Sequence, residues 1–388
     1  MLKECRKLLK AIWYNLRHYR SINNANDTRF TFTKRPPHLG WLPEQIKDYY
    51  KNQNELISAV KDKENFVVFF NVMGEIITGG MLSINRFVLH SEGYAKEQGF
   101  TVITSNIPLG NACIKNPFFE YYSPPIDFNL LCKQAHPKRM ILNIPEHFVP
   151  AFINDLSKEQ YSFLSSIPDL RINILNQNDP LMPAQHYIEE LRTLCNNKLS
   201  ITAAHKRYAT EDKARQYKCP VFLLKPFLPE FYELPYDKKE KTIVVSPDDH
   251  KYKRSILEKI KKELPDYKLV TVKKMTLEQY KSLISRSRFA ITFGEGWDGY
   301  FVEPYLSSSL AFVVYNDTFF PKEFDSSLPT VYATWDDMLN NLISDIKRYE
   351  NSQTYNQVVS RVRTEVERLV NNDESIENLE AYFRRLKI

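Results

Sequence analysis

Phe289-Ala-Ile-Thr-Phe-Gly-Glu295-Gly-Trp-Asp-Gly-Tyr-Phe-Val-Glu303-Pro-Tyr-Leu306 is the stretch that decides how this chain is read. An apolar run, 289–293, has the length and residue types of a buried strand. A loop with three glycines follows it, then a helix-like segment, then a second apolar run at Phe312-Val-Val-Tyr315. Glu303 precedes Pro304, which suits a first helical position. A charge there has a bland account, because carboxylates at helix starts are stabilised by about 0.3–1 kcal/mol. Glu295 has no such account. It follows a buried-looking strand, and a charge in that place is costly unless a ligand or partner satisfies it. Spacing alone is a weak signal, since pairs of glutamates eight apart arise by chance. The strand–loop–helix setting gives the pair its weight.

The same alternation extends outward in both directions. Strand-like runs lie at 66–70, 101–104, 139–144, 172–175, 198–202 and 221–224, with helix-like stretches from Met81 to about Gln98, over 184–196 and over 203–216. This is the pattern of parallel sheets with right-handed crossovers. Residues 226–240 are rich in Pro, Tyr and charge and read as a linker. A second α/β unit begins with Thr242-Ile-Val-Val-Ser246. With 388 residues, two domains are expected. The divisions are 1–60 as a basic helix and polar lead-in, 61–235 as a first Rossmann-like domain, 241–365 as a second, and 366–388 as a helix packing back across them. Two doubly wound sheets face each other over a cleft, and ligands bind outside the carboxyl ends of their strands.

Composition narrows the class. The net charge is +6, and residues 1–20 hold six Lys/Arg against Glu4 alone, leaving +5 there. Leu2, Leu8, Leu9, Ile12, Trp13 and Leu16 recur at roughly helical spacing, so this segment reads as a basic amphipathic helix for an anionic membrane surface. A helix packed on its own protein is the competing reading. No basic patch interleaved with aromatics recurs, which argues against nucleic acid. The five cysteines, Cys5, Cys113, Cys132, Cys195 and Cys219, are scattered and form no CxxC pair. They indicate neither a zinc site nor a disulfide framework and fit a reducing cytoplasm. No apolar run is long enough to span a bilayer.

Gly74-x4-Gly79 lacks the Gly-Lys-Ser/Thr ending of a phosphate loop, since Gly80-Met81-Leu82 follows. What remains, Gly79-Gly80 between a strand and a helix, lets a ligand approach the backbone closely.

With these residues in place the chain resembles a GT-B glycosyltransferase of the retaining, family-4-like kind. The resemblance rests on Glu295-Gly-Trp-Asp-Gly-Tyr-Phe-Val-Glu303, on 275–289 leading into its strand, and on 199–204 with Cys219-Pro-Val-Phe-Leu-Leu-Lys-Pro-Phe-Leu-Pro229. It covers most of 66–345. It implies transfer of a sugar from a nucleotide-sugar donor to a saccharide or lipid-linked acceptor, in cell-surface polysaccharide synthesis, without a metal or other cofactor. It implies Glu295 near the donor sugar and Glu303 on the ribose, with Gly296, Trp297 and Gly299 in the donor loop. A basic pair on the diphosphate falls to Lys251 and Arg254 in Ser246-Pro-Asp-Asp-His-Lys-Tyr-Lys-Arg254, with Lys253 as substitute. His147 is the candidate facing the donor sugar, with Glu146 beside it as a possible base. Gly79, Gly80 and Asp179 line the acceptor side, Asp179 within Asn178-Asp179-Pro180 after a strand end. The chain departs from the family's pattern at Asp298, where a glycine is usual, and at 307–311. The second domain also reads a βα unit short. A sugar-nucleotide epimerase and a binding protein without turnover are the alternatives.

Overall fold

The computed structural model describes residues 43–73, 78–109, 112–116 and 118–385. The basic segment 1–20, the Pro36-Pro37 break and the 74–77 part of the first glycine loop lie outside them.

The strands are β1 (Asn65–Val72), β2 (Thr101–Ile107), β3 (Pro125–Ile126), β4 (Arg139–Pro145), β5 (Asp169–Asn176), β6 (Leu199–Ala203), β7 (Val221–Leu223), β8 (Glu240–Val245), β9 (Lys268–Thr271), β10 (Ser287–Ile291), β11 (Leu310–Val314) and β12 (Val331–Tyr332). The described helices are α1 (Pro43–Ser58), α2 (Gly79–Glu97), α3 (Phe128–Gln134), α4 (Val149–Asp155), α5 (Lys158–Ser166), α6 (Gln185–Leu194), α7 (Glu211–Tyr217), α8 (Lys253–Glu263), α9 (Leu277–Arg286), α10 (Gly299–Leu306), α11 (Trp335–Arg348), α12 (Ser352–Leu369) and α13 (Asn372–Arg385). None of the described helices is long and apolar enough to cross a membrane.

Two all-parallel sheets result. The first runs β3-β2-β1-β4-β5-β6-β7 and the second β12-β11-β10-β8-β9. Each sheet is covered by helices on both faces, so its central strands are continuous apolar runs. In β1 the six residues 66–71 are all buried, and β11 is buried along its whole length. The second sheet has five strands, one of them the two-residue strand β12, which is too short to show in sequence.

Strand order fixes the functional end of each sheet. In the first, order reverses between β1 and β4; in the second, between β8 and β10. Crevices open at the carboxyl ends of those strand pairs. In the second domain these ends are 246–248 and 293–295.

Two segments link the domains, 224–239 and the α12–α13 turn, and side chains tie them together. Asn372 accepts from the Leu228 amide at 2.9 Å and donates to its carbonyl at 3.0 Å. Helix α13 then packs on the first domain, where Leu379, Tyr382 and Phe383 join a core with Val67, Phe69 and Phe87. The Tyr382 hydroxyl reaches the centre of the sheet and donates to Asn143 Oδ1 at 2.7 Å.

Candidate active site

The carboxyl-end loops of the two sheets meet. From the second domain, Glu295 stands at the end of β10. From the first, Asn178 follows β5, and its Nδ2 donates to Glu295 Oε1 at 2.6 Å. The Asn178 amide donates to Glu146 Oε1 at 3.0 Å. One asparagine therefore joins two carboxylates that belong to different domains. Glu146 is 3% exposed at the end of β4. Burial pushes its carboxyl up to about 7, opposed by backbone N–H groups and helped by the Glu295 charge. Glu295 keeps a solvent-exposed edge, yet the walls of the cleft push its carboxyl to about 7 as well, with Asp248 adding to the rise.

The second domain contributes more acid than the sequence suggested. Asp248, after β8, comes within 2.9 Å of where a Cβ on Gly294 would stand. Asp298 is the N-cap of α10: its Oδ1 accepts from the Phe301 amide at 3.1 Å and its Oδ2 from the Thr292 hydroxyl at 2.9 Å. Burial raises Asp298 to about 7, with Asp248 and Glu295 adding to the rise and the Thr292 bond opposing it. The departure from glycine at this position is thus a helix cap.

Helix α10 begins at Gly299, not at Pro304. Glu303 consequently lies one turn inside the helix and is buried, so helix-end electrostatics do not account for it. Its carboxyl is raised by burial and held back by Arg86 and the Tyr280 hydroxyl. Arg86 comes from α2 of the first domain, and its Nη2 is 3.9 Å from Glu303 Oε1. Gly299 leaves room for this carboxylate, because a Cβ there would meet Glu303 Oε2 at 3.0 Å.

Gly296 has φ +99°, and a Cβ on it would stand 2.8 Å from the Phe320 ring and 3.2 Å from the Val314 carbonyl. Only glycine suits both conditions. Trp297 turns into its own domain, against Phe301, Phe320 and Phe324 at ring separations of 5.9, 5.6 and 5.2 Å. It shapes the loop by packing, as an apolar ring following a glycine turn does. The Phe320 segment is itself held from the first domain. Arg207 donates to the carbonyls of Asp317 and Thr318, and the Tyr208 hydroxyl donates to Thr318 at 3.1 Å.

The candidate basic pair divides. Lys251 is exposed, with its ammonium 5.2 Å from the Tyr252 ring. Arg254 is engaged elsewhere, one turn along α8, with Glu258 at 2.8 Å. Lys253 is turned under the β8 loop and donates to the Ser246 and Asp248 carbonyls at 2.8 and 2.7 Å.

On the acceptor side, Gly80 allows Gln177 to lie across the start of α2, since a Cβ would meet Gln177 Oε1 at 2.6 Å, while Gly79 faces open space. Asp179 is held by Lys213 at 2.7 Å and by Asn176 at 3.1 Å. His147 packs beside Phe148, with burial lowering it to about 4, so its ring is neutral at pH 7. Asp248 and Arg86 are candidate-site residues to which reading the sequence assigned no role, and Asn178, expected beside Asp179 on the acceptor side, bonds to Glu295. Asn178 carried a signal, its position after a strand end; Arg86, in mid-helix, carried none.

No family model matches the chain, and no curated protein does. Among solved structures it is similar to sucrose-phosphate synthase from Thermosynechococcus elongatus, with TM-score 0.55 and 10% identity over 83% of this chain and 99% of that one. It is similar also to Anabaena Alr3699/HepE in complex with UDP-glucose, with TM-score 0.53 and 9% identity over 83% and 98%. These neighbours are GT-B glycosyltransferases, and the chain shares their fold, as expected from the resemblance.

Proposed function

We propose that this chain moves a sugar from a nucleoside-diphosphate-sugar to a saccharide or lipid-linked acceptor, with retention of configuration and without a metal. The observation that carries this reading is the Asn178–Glu295 bond. It sets a carboxylate from the second domain's switch point against the first domain, beside Glu146 at the end of β4, where a donor and an acceptor would meet. The GT-B fold, shared with a protein solved with UDP-glucose, supports a nucleotide-sugar as the donor. Glu295 stabilises positive charge developing on the donor sugar, and Glu303 holds the ribose. Lys251, exposed at the β8 loop, swings onto the diphosphate and offsets the charge of the departing nucleotide. Gly79 and Gly80 border the acceptor. The basic segment 1–20 brings the protein to the anionic inner face of the membrane, where a lipid-linked acceptor of cell-surface polysaccharide is presented, and the protein is otherwise cytoplasmic.

The test is turnover of UDP-glucose, other UDP-sugars and GDP-sugars with saccharide and polyprenyl-phosphate-linked acceptors, with the product anomer read by NMR. Glu295→Gln should lower the rate by about 100-fold or more. Equal rates for the variant and the unaltered protein would remove Glu295 from the chemistry. Formation of an epimer from donor alone would replace transfer by epimerisation.

Asp248 and Asp298 favour a second reading. Carboxylates stand on this loop where a departing diphosphate needs cations, which suits a GT-B protein that has lost turnover and serves as a binding protein. Calorimetric binding of a nucleotide-sugar with no product from any donor would favour it.

A further inference from the structure

Three buried side chains cluster around α10, and two of them hold polar atoms that the protein leaves unsatisfied. Glu303 is 7% exposed, Arg86 8% and Tyr280 7%. Arg86 is anchored by its Nη1, which donates to the Phe227 carbonyl of the interdomain segment at 2.8 Å. Its Nη2 is buried with no hydrogen-bond partner and stops 3.9 Å short of Glu303. The Tyr280 hydroxyl, from α9, lies near enough to the Glu303 carboxyl to influence it but makes no hydrogen bond of ordinary geometry, and it too is buried. Buried polar groups are nearly always paired, so two orphans around one carboxylate call for a missing partner.

The donor and acceptor inventory identifies that partner. An ionised Glu303 only accepts, a guanidinium only donates, and a phenol does either. A hydroxyl that donates to a carboxylate still has lone pairs to offer. Two neighbouring hydroxyls could each donate to Glu303 and accept from Arg86 Nη2 or the Tyr280 hydroxyl. A phosphate would be repelled by Glu303, and an apolar group would leave all three unpaired.

We infer that Arg86 and Tyr280 are specificity residues for a vicinal diol, closing from the two domains on the hydroxyls that Glu303 holds. The cleft then shuts fully only on a ribonucleotide. This rests on the donor reading above. It adds that the first domain, through Arg86, senses a nucleotide carried by the second. Anchoring of Arg86 to Phe227 gives that sensing a mechanical route, because the same segment joins the domains.

The experiment is calorimetric titration of the full chain with UDP and 2′-deoxy-UDP, and with GDP and 2′-deoxy-GDP. A site that bonds a hydroxyl rejects the analogue lacking it, so the ribonucleotide should bind at least about tenfold more tightly. Tyr280→Phe is the sharper variant. It deletes an orphaned hydroxyl and keeps the ring, so the melting temperature should hold or rise while the ribose preference falls severalfold. Arg86→Gln should bring the preference close to one and abolish nucleotide-induced compaction in solution scattering. Equal binding of ribo- and deoxyribonucleotides overturns the inference, and so does a Tyr280→Phe protein with lowered melting temperature and undiminished preference. If UDP binds and Glu303→Ala weakens it while the deoxy form binds as well as the ribo form, this inference fails and the donor reading stands. If neither UDP nor GDP binds, both fall.

Discussion

Gly296→Ala and Gly299→Ala, three residues apart in one loop, should separate folding from ligand binding. At Gly296 an alanine must adopt φ +99°, and its Cβ would stand 2.8 Å from Phe320 Cε2 and 3.2 Å from the Val314 carbonyl. Backbone strain of this kind costs about 1–3 kcal/mol. Overpacking costs about 1–3 kcal/mol more. The ring has little room to retreat, since Trp297, Phe301, Phe324 and Tyr315 surround it. The total of about 2–6 kcal/mol corresponds to a fall of roughly 5–20 °C in the melting temperature of a domain this size. At Gly299 the three nearest atoms are all of the Glu303 carboxyl group, between 3.0 and 3.3 Å. That group can swing aside, and alanine favours a helix, so stability should change by less than about 1 kcal/mol. The displaced carboxylate should instead cost about tenfold in UDP affinity, roughly one charge-assisted hydrogen bond. Scanning calorimetry and UDP titration of both variants give the two readouts. A Gly296→Ala protein that melts with the unaltered one would refute the argument that Phe320 pins this loop. A Gly299→Ala protein that binds UDP unchanged would refute the placement of the ribose on Glu303.

Turnover should rise as Glu295 ionises, with an inflection near pH 7 that Asp248→Asn lowers, because a neighbouring negative charge is removed. Asn178→Ala should raise the same inflection by about one unit, since the bond it deletes favours the charged carboxylate. Glu146 holds its proton to about pH 7 when folded and to a lower pH when unfolded, so the stability it contributes is fully present in acid and is lost as pH rises through about 7. Glu146→Gln should remove that slope, worth up to about 3 kcal/mol, as read from urea midpoints between pH 4.5 and 8. Lys251→Ala should weaken UDP more than uridine and flatten the salt dependence, whereas Arg254→Ala, already paired with Glu258, should do neither; equal effects of the two would detach Lys251 from the diphosphate.

The fold was legible where burial makes the sequence monotonous. Strands β1, β4, β5, β8, β10 and β11 are covered on both faces and appear as apolar runs, and their alternation with helices implies a parallel sheet. Short edge strands carry too few residues to show a pattern, which hid β3 and β12. Helix α1 was hidden for a different reason. Its inward positions include the buried Gln53, which donates to the Pro125 carbonyl and accepts from the Asp127 amide, so its packed face is partly polar. An amphipathic reading counts such a residue against the helix.

The site was legible in the same measure, and its limits have one physical cause. Glu295 and Glu303 stood out because each lies in a strand–loop–helix setting that one segment displays in full. Arg86 and Asn178 complete the arrangement from another domain, more than a hundred residues away; Asn178 is marked only by its place after a strand end, and nothing local distinguishes Arg86 from a surface arginine. The basic pair shows the converse. Lys251 and Arg254 were singled out by charge and position, yet α8 starts at Lys253, so Arg254 lies one turn before Glu258, within its reach, and pairs along the helix, while Lys253 turns inward to cap the β8 loop. Helical phase decided which cation was left for a ligand, and phase depends on a boundary that shifts by a residue or two without any clear mark in sequence. A cleft between domains is therefore read most securely from residues that must be where they are for backbone reasons, such as Gly296. It is read least securely from long charged side chains, whose partners the fold selects after the chain has been assembled.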